Sequence, residues 1–273
     1  MIRYFFFLLC FHFSIYASEV ANCKDVGKNE NVTFFLSTTK SGSNLITGCL
    51  SAITRKPISW FTWGDSILDP ASKHREHISY NRIGLPLISD MPLLYRTHYE
   101  FDELMQVPSQ HNKLIFATRN PKELIYRKFL ILASSSENPD PNFIIEFLDK
   151  YLKAFDVFDS WFPETRFIVF YEDFIFDDDA ILLRLLQFMD ETPEFLDDFL
   201  EHKKEYLSRL LESYKNQHTN NSGGASSRGG PKPIYYTLNA SQDILRYIDE
   251  YIQWKAPQIW EKYLKRFQSS LEP

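Results

Sequence analysis

One stretch, Val32–Leu45, limits what this chain can fold into more than any other. It begins as a short apolar run rich in β-formers, Val32–Leu36. A loop of small polar residues follows, Ser37–Ser43, which contains Lys40 and Gly42. Leu45, Ile46, Cys49, Leu50 and Ile53 then recur at helical spacing. Strand, small-residue loop and helix together make a phosphate cradle, because backbone N–H groups at the loop and helix start point at one anion. Gly42 lets the backbone come close, Lys40 brings a point charge, and Ser41 and Ser43 bring hydroxyl donors. Asn44 stands in the first turn. The same stretch suits an ordinary strand-to-helix turn. It is not a Walker A loop, since G-x-x-x-x-G-K-[ST] is absent.

The rest of the chain repeats the alternation. Leu93–Tyr95, Lys113–Thr118 and Arg166–Tyr171 read as strands, and the second is apolar enough to be buried on both faces. Helical periodicity predicts a short turn at Phe101–Met105. It predicts longer helices after Pro121, over Asn142–Trp161, Asp178–Met189 and Glu194–Leu211, and over Thr237–Phe267 with a break near Pro257. Arg55–Met91 carries Pro57, Gly64, Pro70, Gly84 and Pro86 and reads as irregular. Its Trp60, Phe61 and Trp63 suit either an acceptor pocket or the core. Ser213–Pro233 is rich in Asn, Ser and Gly and reads as a mobile flap. Strands alternating with helices predict an α/β fold, a single domain with a central parallel sheet flanked by helices.

Composition supports that size of core. The chain has 273 residues, 44% of them hydrophobic, with 24 Phe and 15 Tyr. Its net charge of −6 argues against a nucleic-acid binder or a protein held on anionic lipid. A bound anion would need a local cluster of cations. No compact His/Cys set suggests a metal.

The first 17 residues pair Arg3 with an apolar run, Tyr4–Tyr16, that ends at Ala17 and Ser18. This is the pattern of a secretory signal peptide. The run is shorter than the roughly 20 residues of a spanning helix. An uncleaved anchor is the alternative, with membrane contact only through that leader. Residues 18–31 form a polar lead-in, and the domain is expected over 32–268. The protein is then exported, or lumenal if the leader anchors it. Cys23 and Cys49 are suited to pair in an exported protein, or Cys49 is a buried free thiol.

Several short motifs resemble those of the PAPS-dependent sulfotransferases, and they occur in that family's order. The loop Lys40-Ser41-Gly42-Ser43 resembles the family's K-S-G-[TS]. Arg96-Thr97-His98 resembles K-T-H. Arg119-Asn120-Pro121-Lys122 resembles R-N-P-K, and Phe170-Tyr171-Glu172-Asp173 resembles F-Y-E-D. Ser227-Arg228-Gly229-Gly230 is a looser match to the family's R-K-G element. The resemblance spans about Val32–Phe267 and implies the P-loop-like sulfotransferase fold.

What the resemblance implies for chemistry is a sulfuryl transfer from PAPS, without a metal, to a hydroxyl or amine. His98 would be the general base, Lys40 would neutralise the leaving phosphate, and Arg96 would meet the sulfuryl oxygens. Ser41, Gly42, Ser43 and Asn44 would hold the 5'-phosphate. Arg119, Arg127 and Arg228 would hold the 3'-phosphate, and Gly229 would also contact the cofactor. Arg127 replaces the family's serine, and Leu45 stands where the family stacks a tryptophan on adenine, so Tyr171 or Tyr214 would supply the ring. The acceptor would be a small molecule, glycan or lipid. Two other readings stay open: a secreted nucleotide-binding protein that kept the fold and lost turnover, and a P-loop kinase, for which the Walker residues are missing.

Overall fold

Alternate side chains of the central strand face two separate cores. The computed structural model describes residues 31–39, 41–60, 85–89, 91–98, 101–108, 110–132, 139–219, 237 and 240–268. For 60, 103, 130–132 and 210–219 it describes the backbone alone. Strand β1, Thr33–Ser37, is buried along its whole length. Its Phe34 and Leu36 enter one apolar cluster and its Phe35 the other, as the two-residue period of a strand requires.

β1 leads through the Thr38–Gly42 loop into helix α1, Ser43–Thr54. Then come β2 (Ile58–Trp60), β3 (Leu94–Thr97), the short helix α2 (Phe101–Leu104) and β4 (Lys113–Thr118). Helices α3 (Pro121–Leu132) and α4 (Pro141–Ser160) precede β5 (Arg166–Phe170). Helices α5 (Tyr171–Phe176), α6 (Asp178–Met189), α7 (Leu196–Thr219) and α8 (Gln242–Lys255) follow, and short helical turns over 257–267 come after them. The strands form one five-stranded sheet in the order β2-β3-β1-β4-β5, with every pairing parallel. Both faces are covered, as parallel sheets need.

Residues of α3, α4, α8 and the C-terminal turns pack on one face, where Phe116 meets Phe155 edge-on at 5.0 Å and Phe34 meets Trp161 at 5.8 Å. Residues of α1, α6 and α7 pack on the other. Asp140 caps α4 by accepting from the Phe143 N–H, and Pro141 fills the first helical position, where its missing N–H leaves no bond unmade.

Four elements depart from the expectation, and the first is β3, which runs over Leu94–Thr97 and so holds Arg96 and Thr97 within the sheet rather than after the expected Leu93–Tyr95. Ile58–Trp60 is a strand inside the stretch expected to be irregular, with Ile58 in register with Leu94. Tyr171 opens α5 rather than closing β5. Helix α7 continues through Thr219, seven residues into the stretch expected as a flap. Asn and Ser lower helix propensity by only tenths of a kcal/mol each, too little to stop a helix already propagating.

Candidate functional site

Strand register decides which side chains meet. Phe35 pairs with Arg96 and Leu36 with Thr97, so the next position of β1, Ser37, lies beside His98. On its other side Ser37 pairs with Ala117. Thr118 pairs with Phe170, so the next residues, Arg119 and Tyr171, leave the sheet together. The phosphate-type loop, His98, Arg119 and Tyr171 therefore converge at the carboxyl ends of adjacent strands. The chain runs from β1 to β2 and β3 on one side and to β4 and β5 on the other, and open α/β sheets bind ligands at such a switch point.

The loop is tightly built. The Thr38 N–H donates to Ala117 O at 3.1 Å, and the Ser41 N–H to Thr38 O at 3.2 Å. Gly42 has φ +77°, and the N–H groups of Leu45 and Ile46 return to its carbonyl at 2.8 and 3.2 Å. The first N–H groups of α1 have no partner within the helix by geometry and face outward from its start. Ser41 is fully buried, and among the described residues its Oγ has no hydrogen-bond partner.

Arg96 reaches that loop. Its side chain is 1% exposed; Nη2 donates to Ser43 Oγ at 2.5 Å and Nη1 donates to Asn44 Oδ1. Nη2 also lies 3.4 Å from His98 Nε2. The other ring nitrogen, Nδ1, sits 2.8 Å from Ser37 Oγ and 2.9 Å from Ser37 O. Beside His98 is a pocket of about 30 Å³ between Thr38, Thr39, Phe101, Lys128, Phe147 and Lys150.

Arg119 is buried under the ring of Tyr171, with Cζ 4.5 Å from the ring centroid. Glu123 and Glu172 approach its guanidinium at 3.7 and 3.6 Å. Nε and Nη1 have no hydrogen-bond partner among the described residues. The Arg119 carbonyl accepts from Tyr151 Oη at 2.9 Å, and Glu172 Oε1 accepts from the Asn120 N–H at 3.1 Å. Burial pushes the Glu172 carboxyl above the ordinary glutamate range, and the Asn120 N–H and Arg119 pull it back. Tyr171 is 5% exposed and lies against Gly42, where an added Cβ would come within 2.2 Å of its Cδ2. Arg127 lies half-buried on α3.

Supporting contacts surround this group. Lys122 pairs with Asp249 at 2.7 Å and donates to Phe267 O at 2.7 Å, tying α3 to α8 and the C-terminal turns. Burial pushes its ammonium below the usual lysine range, against the pull of Asp249. Glu123 also accepts from the Thr237 backbone at 3.3 Å.

Of the residues singled out in the sequence, Ser41, Gly42, Ser43, Asn44, Arg96, His98, Arg119 and Tyr171 gather at one end of the sheet. Lys40, Arg228, Gly229 and the leader with Cys23 lie outside the described residues, as does the side chain of Tyr214. Cys49 carries a buried free thiol, pushed up to about 12 by that burial. Ser37 and Glu123 were not singled out. A serine ending an apolar strand is a faint signal, and only register makes it the neighbour of an imidazole.

A family model described as a sulfotransferase domain matches residues 30–232. Sulfotransferase 1E1 of Bos taurus is 22% identical over 185 residues, which cover 55% of this chain and 62% of that protein. The chain thus spans less than two thirds of the length of this curated relative. Among solved structures, mouse sulfotransferase SULT7A1 complexed with PAP is 17% identical, covers 88% of each chain, and gives a TM-score of 0.52. Retinol dehydratase in a complex with retinol and PAP is 14% identical, covers 82% of this chain and 81% of that one, and gives 0.51. At such identities the structural matches show the fold. With three quarters of its length matched by the family model, this chain belongs to the sulfotransferase domain family.

Proposed function

We propose that this protein transfers a sulfuryl group from PAPS to a hydroxyl or amine of a small acceptor. The supporting observation is a pair of buried, unsatisfied donors near the strand ends. Ser41 Oγ and two guanidinium nitrogens of Arg119, Nε and Nη1, have no hydrogen-bond partner among the described residues, where buried donors normally have one. Both are groups that an anion satisfies, and Gly42 leaves its backbone bare. These residues therefore fit a nucleotide with separate phosphates. The loop from Ser41 to Asn44, with Lys40, would hold the 5'-phosphate, and Arg119, Arg127 and Arg228 the 3'-phosphate, with Gly229 also contacting the cofactor. Retinol and PAP in the retinol dehydratase complex support a small organic acceptor.

Bound PAPS supplies an activated sulfuryl group and a good leaving oxygen. The chain's own residues do the rest. His98 Nε2 takes the proton of the attacking hydroxyl, and its imidazole suits that task near neutral pH. Arg96, already fixed to Ser43 and Asn44, presents positive charge between the loop and the base. Lys40 offsets charge on the leaving oxygen. Tyr171 covers Arg119 and excludes water from the guanidinium. The predicted leader would send the enzyme into a secretory lumen or out of the cell, where PAPS must be supplied.

The test joins binding and turnover. PAP should raise the melting temperature, and labelled sulfate should pass from PAPS to acceptors in a screen of phenols, alcohols and amines. His98→Ala should keep the PAP-induced shift and lose about 10²- to 10⁴-fold in transfer. Stabilisation by PAP with no transfer to any acceptor would instead favour the nucleotide-binding protein without turnover. No stabilisation by PAP would overturn both.

A further inference from the structure

We infer that Ser37 is a positioning residue: it holds His98 in the tautomer that carries hydrogen on Nδ1 and leaves Nε2 as the proton acceptor. The argument uses two neighbours whose hydrogen-bonding sense is fixed. At Nδ1 the Ser37 carbonyl oxygen stands 2.9 Å away, and a carbonyl only accepts, so Nδ1 must donate. At Nε2 the Arg96 Nη2 stands 3.4 Å away, and a guanidinium only donates, so Nε2 carries the lone pair. The two constraints come from different strands and select the same tautomer.

The Ser37 hydroxyl completes the arrangement. It is 2.8 Å from Nδ1, where it accepts a share of the same hydrogen, and its own hydrogen turns toward Thr97 O at 3.5 Å. Ser37 is fully buried, so water does not compete for Nδ1 from that side. Parallel register supplies the contact: Leu36 and Thr97 are paired, and Ser37 and His98 are the next residues of the two strands. Among the described residues, charged groups around His98 include Arg96 of β3 and, across the small pocket, Lys128 of α3 and Lys150 of α4. An acceptor at Nδ1–H favours the protonated ring, so it makes Nε2 the stronger base.

The consequence for catalysis rests on the sulfuryl-transfer reading; the tautomer does not, and the two are tested separately. Protein labelled with ¹⁵N in its histidines is examined by long-range ¹H–¹⁵N correlation at a pH where the ring is neutral, with His98→Gln identifying the signal. Protonated Nδ1 and unprotonated Nε2 are expected. Hydrogen on Nε2 would overturn the inference whether or not the protein transfers sulfate. For the kinetic arm, Ser37→Ala should lower kcat on the order of 10-fold, as loss of a hydrogen-bonded support does. The KM for PAPS should hardly move, and the acidic limb of the kcat profile should shift to lower pH. Ser37→Thr should restore both. An unshifted limb with unchanged kcat in Ser37→Ala would remove the Ser37 hydroxyl from this role. Absence of transfer by the wild-type protein would sink the enzymatic reading and leave the NMR result to decide the tautomer.

Discussion

The aromatic ring of Tyr171 lies on the guanidinium of Arg119, 4.5 Å from Cζ to centroid, and so roofs a buried cation that two carboxylates approach without closing a hydrogen bond. A planar fork in that setting can meet a phosphate with two parallel bonds, whereas an ammonium cannot. Arg119→Lys keeps the charge between Glu123 and Glu172. Its PAP affinity should still fall on the order of 10- to 100-fold, as hydrogen bonds to a charged group are lost. Titration calorimetry with PAP measures this. An affinity within a factor of about two of wild type would exclude a bidentate role.

Gly42 should be the least replaceable residue of the loop. Its φ of +77° disfavours any side chain by about 1–2 kcal/mol, and a Cβ would also press into the Tyr171 ring. Gly42→Ala should therefore lower stability by roughly 2–5 kcal/mol, strain and overpacking together. In a Tyr171→Ala background the clash is gone, and the same change should take away only about 1–2 kcal/mol. Chemical denaturation of the four proteins in this cycle gives the coupling.

Glu172 makes stability depend on pH. Its carboxyl is raised above the ordinary 4.5, first by burial. A group raised on folding binds more protons in the native state, so folding stability falls as pH climbs from 4.5 toward the folded value. Glu172→Gln imitates the protonated form and can still accept from the Asn120 N–H. Relative to wild type it should gain stability as pH rises from 4 to 7, and the gain should vanish at the acid end. Urea unfolding at both pH values checks the sign, and a gain confined to pH 4 would contradict it.

Phe116 tests the core that carries the site. It is fully buried on β4, the strand that delivers Arg119, and meets Phe155 edge-on at 5.0 Å. Phe116→Ala should lower stability by about 3–5 kcal/mol. For a domain of this size that is on the order of 10 °C in melting temperature by calorimetry. PAP affinity, read at a temperature where the variant is folded, should change much less than in Arg119→Lys.

Much of the frame is legible in the chain itself. Lys113–Thr118 is an unbroken apolar run and is β4 to the residue. Asp178–Met189 is α6 to the residue, because Leu182, Leu185, Leu186 and Met189 define a helical stripe behind acidic starters. Ile58–Trp60 was hidden because three residues are too few to show a period of two, and their pairing partner lies far along the chain at Leu94. The end of α7 was hidden because polar composition imitates a loop, while only helix continuity decides where it stops.

Sequence alone determined the alternation of strand and helix, the small-residue loop before α1, and the motifs that mark a sulfotransferase domain. Each of these is a local pattern, readable from residues a few positions apart. Only the tertiary structure decided that Ser37 backs His98, that Arg96 fastens to Ser43 and Asn44, and that Tyr171 covers Arg119 while pressing on Gly42. Those contacts depend on strand order and register, and a shift of one residue would turn each side chain to the opposite face.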